Sequence, residues 1–307
     1  MAVYGWIGLG NMGGPMTANL VAAGHQVKGY DLNPGACIAA KEHGVEIVGS
    51  IAEAVQGSDA VFTMLPKGEH VRSVYEGNDG IWAHATAQTL LLDSSTVDIE
   101  TSRFCHEGSL ERGLKFVDAP VSGGISGAAA ATLAFMVGGI PEHTAEAVEH
   151  IKPLAGKTIV AGGATTGIAA KICNNMMLFI DLMASAEGSQ LAEKLGLDPK
   201  VFWEIASVSS GRSWAQQTWY PVPGVIDTSA ANNNFDATFR VDLARKDVGL
   251  ALDAGEMTGV KLPAATLARE HFDALIAEGL GDKDCSLIVK NVSPNGTVAG
   301  YTQEKNQ

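Results

Sequence analysis

One lysine lies in an otherwise apolar helical pattern, and its neighbours suggest chemistry. The stretch KICNNMML, residues 171–178, places Lys171 beside two amides, Asn174 and Asn175. Residues four apart share a helix face, so Lys171 and Asn175 would point the same way. Burial would lower the pKa of the lysine towards neutral, which suits a group that exchanges a proton with a substrate oxygen held by Asn175. The alternative is a lysine at the helix edge whose ammonium reaches solvent.

A glycine-rich turn near the N-terminus predicts a dinucleotide site. GLGNMG fits the pattern G-x-G-x-x-G, follows an apolar run and opens a helical pattern. In that context, backbone N–H groups and the helix dipole can hold a pyrophosphate. Gly8 permits the tight turn, Gly10 lets the backbone approach the phosphates, and Gly13 lets helix and strand pack closely. Asn11 and Met12 complete the predicted cofactor turn.

An acidic residue at the end of the second apolar run favours NAD over NADP. Asp31 lies close to the expected offset of about 20 residues from the glycine turn. A carboxylate there accepts hydrogen bonds from both ribose hydroxyls and repels a 2′-phosphate. The following residues, Leu32, Asn33 and Pro34, offer no arginine to bind that phosphate. The alternative is a tight turn with a cap-like aspartate and no ligand.

A second glycine-rich turn carries a hydroxyl. The stretch DAPVSGG, residues 118–124, leaves a predicted strand and contains Ser122 and Gly123. A hydroxyl beside backbone N–H groups can bind a carboxylate. A plain strand-to-loop turn would have the same composition, so both interpretations stay open.

The elements that must position these residues are of two kinds. In the first half, short apolar runs alternate with helical patterns, which is typical of βαβ units and a parallel sheet. Strands are predicted over 3–10, 25–31, 59–65, 89–93, 116–119, 133–137 and 158–161. Beyond about residue 165 the pattern is helical, with no convincing strand.

Helical signals dominate the second half. A long helix is predicted over 166–195, and Asp198 and Pro199 would cap and begin the next one. Further helical patterns cover 243–257 and 263–279. The predicted domains are a dinucleotide-binding Rossmann domain over 1–164, a long interdomain helix over 165–193, and an all-helical substrate and oligomerisation domain over 194–307.

Composition limits the partners. The formal net charge of -13 disfavours nucleic acid and anionic membrane surfaces. Four scattered cysteines and the absence of HxxxH spacing predict no metal site and a reducing compartment. We expect a cytoplasmic protein, or a mitochondrial matrix protein in processed form. The low charged fraction of 18% is consistent with a homodimer or homotetramer.

Six stretches, taken in order over nearly the whole chain, resemble one family of oxidoreductases, the β-hydroxyacid dehydrogenases. They are WIGLGNMGGPMTANL (6–20), MLP (64–66), DSST (93–96), DAPVSGG (118–124), TGIAAKICNNMML (166–178) and LARKDVGLAL (243–252). Two further stretches, SSGRSWAQQTWYPVPGV (209–225) and AANNNF (230–235), resemble most the branch that acts on 3-hydroxyisobutyrate.

The resemblance implies a reaction and roles for named residues. The reaction is the NAD-dependent oxidation of 3-hydroxyisobutyrate to methylmalonate semialdehyde, with Lys171 as the catalytic general acid and base. The implied substrate-binding residues are Ser122, Gly123, Asn175, Trp214, Phe239 and Asp247. The implied cofactor-binding residues are Gly8, Gly10, Asn11, Met12, Gly13, Asp31, Leu65, Pro66, Thr96 and Lys246. Asp247 could instead be a helix ion-pair partner, and Trp214 and Phe239 ordinary core residues.

Two other functions fit the same sequence. A related enzyme could act on L-serine or 3-hydroxypropionate, or reduce tartronate or succinic semialdehyde. Such reductases typically favour NADP and carry a basic residue after the second strand, where this chain has Asp31-Leu32. A noncatalytic dinucleotide-binding module would be expected to lack the lysine, which is present here.

Overall fold

The chain forms two compact units, one from Met1 to Lys171 and one that begins at Ile172. The computed structural model describes residues 1–302. The first unit is a Rossmann-type α/β domain, the second is helical, and one long helix links them, which confirms the predicted fold class. The predicted domain limits, 1–164, 165–193 and 194–307, stay a prediction, and residues 303–307 of the last domain lie outside the described part.

The first unit is built on one nine-stranded sheet. Its strands are β1 (Val3–Ile7), β2 (Gln26–Tyr30), β3 (Glu46–Ile47), β4 (Ala60–Thr63), β5 (Leu90–Asp93), β6 (Lys115–Asp118), β7 (Val121–Ser122), β8 (Leu133–Gly138) and β9 (Ala155–Gly162). The strand order is β3-β2-β1-β4-β5-β6-β8-β7, and β9 pairs with β8. The first six strands in this order are parallel, as in dinucleotide-binding folds.

The predicted parallel sheet carries antiparallel pairing near one edge, which the sequence did not indicate. Strand β8 runs antiparallel to both β6 and β7. Only residues 123–132 connect β7 to β8, and a parallel crossover needs about a dozen residues or more. The two-residue strands β3 and β7 were not predicted, because two residues are too few to show a period.

Eight helices pack against this sheet and one another. They are α1 (Gly13–Ala22), α2 (Pro34–Glu42), α3 (Ile51–Val55), α4 (Gly68–Tyr75), α5 (Ile81–His84), α6 (Ile99–Glu111), α7 (Gly124–Ala129) and α8 (Pro141–Ile151). Strands β4 and β5 are buried at every residue, as expected for parallel strands covered on both faces. Trp6 of β1 stacks on Phe62 of β4 in this core, with ring centroids 4.8 Å apart.

Five α-helices and three short 3₁₀ helices, joined by loops, follow β9 up to residue 302. They are α9 (Thr166–Lys194), α10 (Pro199–Val208), α11 (Trp214–Thr218), α12 (Val241–Thr258), α13 (Pro263–Ala277) and the 3₁₀ segments Ala230–Asn233, Cys285–Asn291 and Pro294–Gly296. Helix α9 contains the division between the units. In the described part of the second unit, β pairing is limited to two isolated bridges, Asp236–Lys283 and Arg240–Asp284. Asp198 caps α10 and Pro199 begins it, as predicted.

The core of the second unit forms around the apolar face of α9. Phe179, Leu182 and Ala186 repeat at helical spacing and are buried against residues such as Val248 and Phe272. By length and composition, α9 is the one helix within residues 1–302 that could also cross a membrane, and 44% of its most apolar window is buried inside the protein. That is weak evidence for a span, because the core helix of a folded domain meets the same criterion.

Candidate active site

The glycine-rich turn joins β1 to α1 and depends on the absence of two side chains. Gly8 has φ +101°, which favours glycine, and its carbonyl oxygen accepts a hydrogen bond from Trp6 Nε1 at 2.9 Å. A Cβ on Gly13 would overlap that same oxygen, so α1 packs directly on the turn. A Cβ on Gly10 would meet no atom within 4 Å, so Gly10 borders open space.

The residues of this turn fit a bound dinucleotide. No side chain caps α1 at Met12, and the first turn of α1 contains no acidic residue. The helix N-terminus therefore presents backbone N–H groups and a positive dipole end with no carboxylate to repel a phosphate. Asn11 is exposed and Met12 half-buried beside the open space at Gly10. Their contacts with the cofactor stay a prediction.

The carboxylate of Asp31 is tied to the glycine turn by the backbone. Its Oδ2 accepts a hydrogen bond from Leu9 N at 2.6 Å, and its Oδ1 accepts one from Asn33 N at 2.7 Å. An ionised carboxylate has about four acceptor positions. Two acceptor positions therefore remain for the hydroxyls of a ribose, and the two backbone hydrogen bonds fix the orientation of the carboxylate. The predicted ribose contact is compatible with this geometry.

The ends of β4 and β5 are followed by three predicted cofactor-binding residues, Leu65, Pro66 and Thr96. A buried polar network holds the backbone of the first of them. Ser95 Oγ accepts a hydrogen bond from Leu65 N at 2.9 Å. Asp93 Oδ1 in turn accepts from Thr63 Oγ1 at 2.7 Å and from Ser95 N at 3.2 Å. Burial raises the pKa of Asp93. Sequence reasoning did not single out Ser95, although the polar run DSST after an apolar strand was a signal.

Ser122 and Gly123 lie at the end of β7 and the start of α7. Ser122 is half-buried, and Gly123 has φ +136°, a conformation that L side chains rarely adopt. A Cβ on Gly123 would lie 3.1 Å from Leu133 Cδ2, so the turn is also closely packed. The glycine is therefore required by the turn itself, and the substrate-binding role of both residues stays a prediction.

Lys171 is buried near the start of α9, with 7% of its surface exposed. Asn175 lies one turn later on the same helix face and is 3% exposed. Asn174, by contrast, is exposed. The lysine therefore does not occupy the solvent-exposed helix edge that the alternative interpretation required. A buried ammonium needs compensating polar contacts, and such burial is common where a lysine has a chemical task.

In the second unit, one buried carboxylate links two of the predicted site residues. Asp247 Oδ2 accepts a hydrogen bond from Asn175 Nδ2 at 2.7 Å, and its Oδ1 lies 3.2 Å from Lys246 Nζ. Asn175 Oδ1 accepts from Asn174 Nδ2 at 3.1 Å. The Asn175 amide is thus oriented with its oxygen directed away from Asp247. Asp247 is a cross-helix partner here, and its direct contact with substrate stays a prediction.

An aromatic cluster surrounds the other two predicted residues of this unit. Trp219 contacts Trp214 edge-on with ring centroids 5.0 Å apart, and it lies 5.7 Å from Phe239. Phe179 lies 5.7 Å from Phe239 on another side. Trp214 is 48% exposed, so it is not an ordinary core residue. Sequence reasoning missed Trp219, although its place in SWAQQTW, five residues after Trp214, was visible.

The backbone of Phe239 is fixed by a fully buried carboxylate. Asp284 Oδ2 accepts hydrogen bonds from Thr238 N at 2.8 Å and Phe239 N at 3.1 Å, while its Oδ1 accepts from Ser286 N at 3.0 Å. Phe239 is therefore held on a rigid support.

Within residues 1–302, no group of three or more His, Cys, Asp or Glu side chains is placed to hold a metal ion.

Sequence and structure comparisons place the chain among known proteins. Residues 3–163 match the family model described as the NAD binding domain of 6-phosphogluconate dehydrogenase, and residues 165–292 match the one described as NAD-binding of NADP-dependent 3-hydroxyisobutyrate dehydrogenase. A probable 3-hydroxyisobutyrate dehydrogenase of Mycobacterium tuberculosis is 45% identical over 94% of this chain and 97% of its own length. Human mitochondrial 3-hydroxyisobutyrate dehydrogenase is 39% identical over 92% and 84%.

A solved structure supports the same assignment. It is described as 3-hydroxyisobutyrate dehydrogenase of Mycobacterium tuberculosis with L-serine. It matches this chain with a TM-score of 0.88 and 44% identity, covering 96% of this chain and 100% of its own.

The Rossmann-type sheet and the glycine turn on which α1 packs define a dinucleotide-binding protein, and both matched family models describe that dinucleotide as NAD or NADP. With these matches, the family follows. The chain belongs to the 3-hydroxyisobutyrate dehydrogenase family of NAD-dependent oxidoreductases, which confirms the resemblance seen in its sequence.

Substitution of two glycines of the turn, Gly10 and Gly13, should affect cofactor affinity and thermal stability differently. Gly10→Ala adds a methyl group that meets no protein atom, so its thermal midpoint should equal that of the wild type. The methyl group would occupy the space that a pyrophosphate approaches, so NADH affinity, measured by fluorescence titration, should fall at least about tenfold. Gly13→Ala should lower both affinity and thermal midpoint, because its Cβ overlaps Gly8 O.

The matched control is Gly211→Ala in the second unit, where an added Cβ also meets no atom within 4 Å. It should change neither affinity nor stability. Unchanged NADH affinity in Gly10→Ala would contradict the placement of the pyrophosphate at this turn.

Proposed function

We propose that this protein oxidises 3-hydroxyisobutyrate to methylmalonate semialdehyde with NAD, and that Lys171 is its general acid and base. The observation that carries the proposal is the burial of Lys171 on one helix face with Asn175, in a chain of this family. NAD, when bound, supplies the nicotinamide C4 that accepts the hydride leaving C3 of the substrate.

The proton follows a separate route from the hydride. As the primary alcohol becomes an aldehyde, the neutral amine of Lys171 takes the hydroxyl proton, and in the reverse direction the ammonium returns it. Asn175 supports this step because Asp247 fixes its amide nitrogen at 2.7 Å. The amide oxygen accepts from Asn174 Nδ2 and keeps a second lone pair that can accept a hydrogen bond from the hydroxyl or from the ammonium. The Ser122 hydroxyl and the Gly123 backbone are assigned to the substrate carboxylate.

The substrate preference rests on the aromatic cluster of Trp214, Trp219 and Phe239. The 2-methyl group of 3-hydroxyisobutyrate needs an apolar wall, and these rings offer one on a rigid support. L-serine is the second candidate, because a similar structure is described with L-serine. Its ammonium would replace the methyl group, and it would have to leave water to reach the aromatic wall, a cost that a methyl group does not carry.

Four 3-hydroxy acids distinguish these candidates. We expect kcat/KM, followed as NADH absorbance, to be highest for 3-hydroxyisobutyrate and about tenfold or more lower for 3-hydroxypropionate, which lacks the methyl group. We expect still lower kcat/KM for L-serine and for glycerate, which is the reduced form of tartronate semialdehyde. Higher kcat/KM for L-serine would transfer the assignment to that substrate. NADH binding without turnover of any of the four would favour a noncatalytic module.

The preference for NAD over NADP rests on Asp31. The family model matched by residues 165–292 is described for an NADP-dependent enzyme, whereas Asp31 of this chain favours NAD. The Asp31 carboxylate is fixed at the end of β2, and the next residues carry no positive charge. A 2′-phosphate beside it would be repelled without any compensating contact.

Asp31→Asn should relax this preference. The amide keeps an oxygen for Leu9 N but removes the charge, and the repulsion of two unit charges about 4 Å apart is worth ~1–4 kcal/mol. The ratio of NADPH to NADH affinity should therefore rise at least about tenfold. Asp59→Asn is the matched control, because Asp59 also accepts a backbone hydrogen bond, from Val3 N at 2.8 Å, before the start of β4. An unchanged ratio in Asp31→Asn would remove the argument for NAD.

The role of Lys171 is tested by two substitutions. Lys171→Ala should lower kcat by about 10²- to 10⁴-fold with NADH affinity retained. Lys171→Arg keeps the positive charge, but a guanidinium does not lose its proton at working pH, so alcohol oxidation should fall as far as in the alanine variant.

Lys194→Ala is the control, since Lys194 is exposed at the far end of the same helix. Its kcat should equal that of the wild type. Substantial activity in Lys171→Arg would mean that the residue acts as a fixed charge and not as a base.

Assembly and compartment stay predictions. Helix α10 leaves Val201, Ile205 and Val208 exposed at helical spacing, which supports a homodimer or homotetramer. One relative is named as mitochondrial, whereas the cytoplasm was the first expectation for this chain.

A further inference from the structure

The start of α9 is bound by one buried side chain that sequence reasoning did not use. Asp118, the last residue of β6, is 2% exposed. Its Oδ2 accepts a hydrogen bond from Ile168 N at 2.7 Å, and its Oδ1 accepts one from Thr165 N at 3.1 Å. His106 Nε2 of α6 lies 2.6 Å from the same Oδ1. One carboxylate thus joins β6, α6 and the first turn of α9.

The helix start also touches the sheet without intervening side chains. Gly138 of β8 pairs with Asp118, and a Cβ on Gly138 would lie 2.6 Å from both Asp118 Oδ1 and Gly167 N. A Cβ on Gly167 would overlap the carbonyl oxygen of Met136 and come within 2.6 Å of the carbonyl oxygen of Asp118. Two glycines therefore let the helix backbone and the Asp118 carboxylate fit against the strand ends.

This anchor fixes the helix where its position matters for Lys171. Lys171 follows Ile168 by three residues, which is less than one turn and about 4.5 Å along the axis. A rotation or shift of the first turn would be passed directly to the lysine side chain. Misplacement of a reacting group by about 1 Å can cost about 10²-fold in rate.

We infer that Asp118, backed by His106, is a positioning residue that sets the rotation and axial position of α9 and so places the Lys171 amine. The inference rests on the proposed role of Lys171. Asp118 acts through the backbone of α9 and is not assigned a contact with substrate. Its negative charge at a helix N-terminus also interacts favourably with the helix dipole.

Two other aspartates show that the contacts of Asp118 with α9 are not shared by every buried or helix-capping carboxylate. Asp93 lies beside Asp118 on the adjacent strand β5, but its hydrogen bonds go to Thr63 and Ser95 and not to α9. Asp198 caps α10 through Lys200 N and Val201 N, on a helix that carries none of the proposed site residues. Asp198 is therefore the matched control for loss of a helix cap alone.

Asp118→Asn is the direct test, measured with the full-length protein. An amide has one acceptor oxygen and one donor group, so it cannot accept from Thr165, Ile168 and His106 together. We expect kcat to fall about 10²-fold with the KM for NAD unchanged, and the amide hydrogens of Thr165 and Ile168 to exchange faster with deuterium. Asp198→Asn should leave kcat and the exchange of those two amides unchanged.

Three further substitutions keep the test independent of the stability of Asp118→Asn. His106→Gln retains an amide donor that can reach Asp118 and should keep most of kcat, whereas His106→Leu should lose about tenfold or more. Gly167→Ala should lower kcat although alanine normally favours a helix over glycine, because its Cβ would push the first turn off β8. Equal kcat in His106→Gln and His106→Leu would show that the histidine contributes packing only.

The outcomes separate this inference from the proposed function. Normal kcat in a folded Asp118→Asn protein whose Thr165 and Ile168 amides exchange faster would overturn the positioning role, and so would unchanged exchange of both amides. Absence of turnover by the wild type with every 3-hydroxy acid would instead refute the proposed function. The exchange rates would then still decide whether Asp118 holds the start of α9.

Discussion

The attachment of α9 to the sheet is the constraint on which the proposed chemistry depends. The sheet fixes the glycine turn and Asp31, whereas α9 carries Lys171. Transfer of a hydride and a proton from one carbon–oxygen unit slows steeply when an acceptor is misplaced by about 1 Å. Hydrogen bonds from Thr165 N and Ile168 N to one buried carboxylate, together with glycine at 138 and 167, hold the base of the helix against the sheet.

Much of the fold could be predicted from the sequence because its signals are local. A strand that ends in glycines, a helix that opens with them, and an Asp-Pro pair at the start of α10 each act over a few neighbouring residues. The antiparallel edge could not be found in this way. Its direction depends on how β8 pairs with β6 and β7, and pairing between separate strands leaves no period in the sequence.

The candidate site divides along the same line. Lys171 and Asn175 could be singled out because residues four apart in sequence lie on the same face of a helix. Asp31 could be singled out because the βαβ unit sets its distance from the glycine turn. Their supports were missed for a physical reason. His106 reaches Asp118 and Thr165, Ser95 reaches Leu65, and Asp284 reaches Phe239 across 12 to 59 residues of chain. Only the folded protein brings such partners together.

The two carboxylates that are themselves predicted to bind a ligand, Asp31 and Asp247, differ in how they are held. Asp247 is buried and connects two side chains, Asn175 and Lys246, so it transmits a change at one of them to the other. Asp31 is half-buried and is held only by backbone N–H groups. Among substitutions, only proline removes a backbone donor, so the orientation of Asp31 tolerates most changes at positions 9 and 33, whereas that of Asp247 depends on the side chains at positions 175 and 246.

The bond from Leu9 N to Asp31 has a consequence for anyone who redesigns the coenzyme choice of this enzyme. A small residue with an arginine nearby is the obvious exchange for accepting a phosphorylated ribose. That exchange would also leave the Leu9 amide without its acceptor and loosen the glycine turn predicted to hold the pyrophosphate. Gains in selectivity would then come with weaker binding of both coenzymes. A successful redesign has to return an oxygen to that amide, which favours serine or asparagine at position 31 over alanine or glycine.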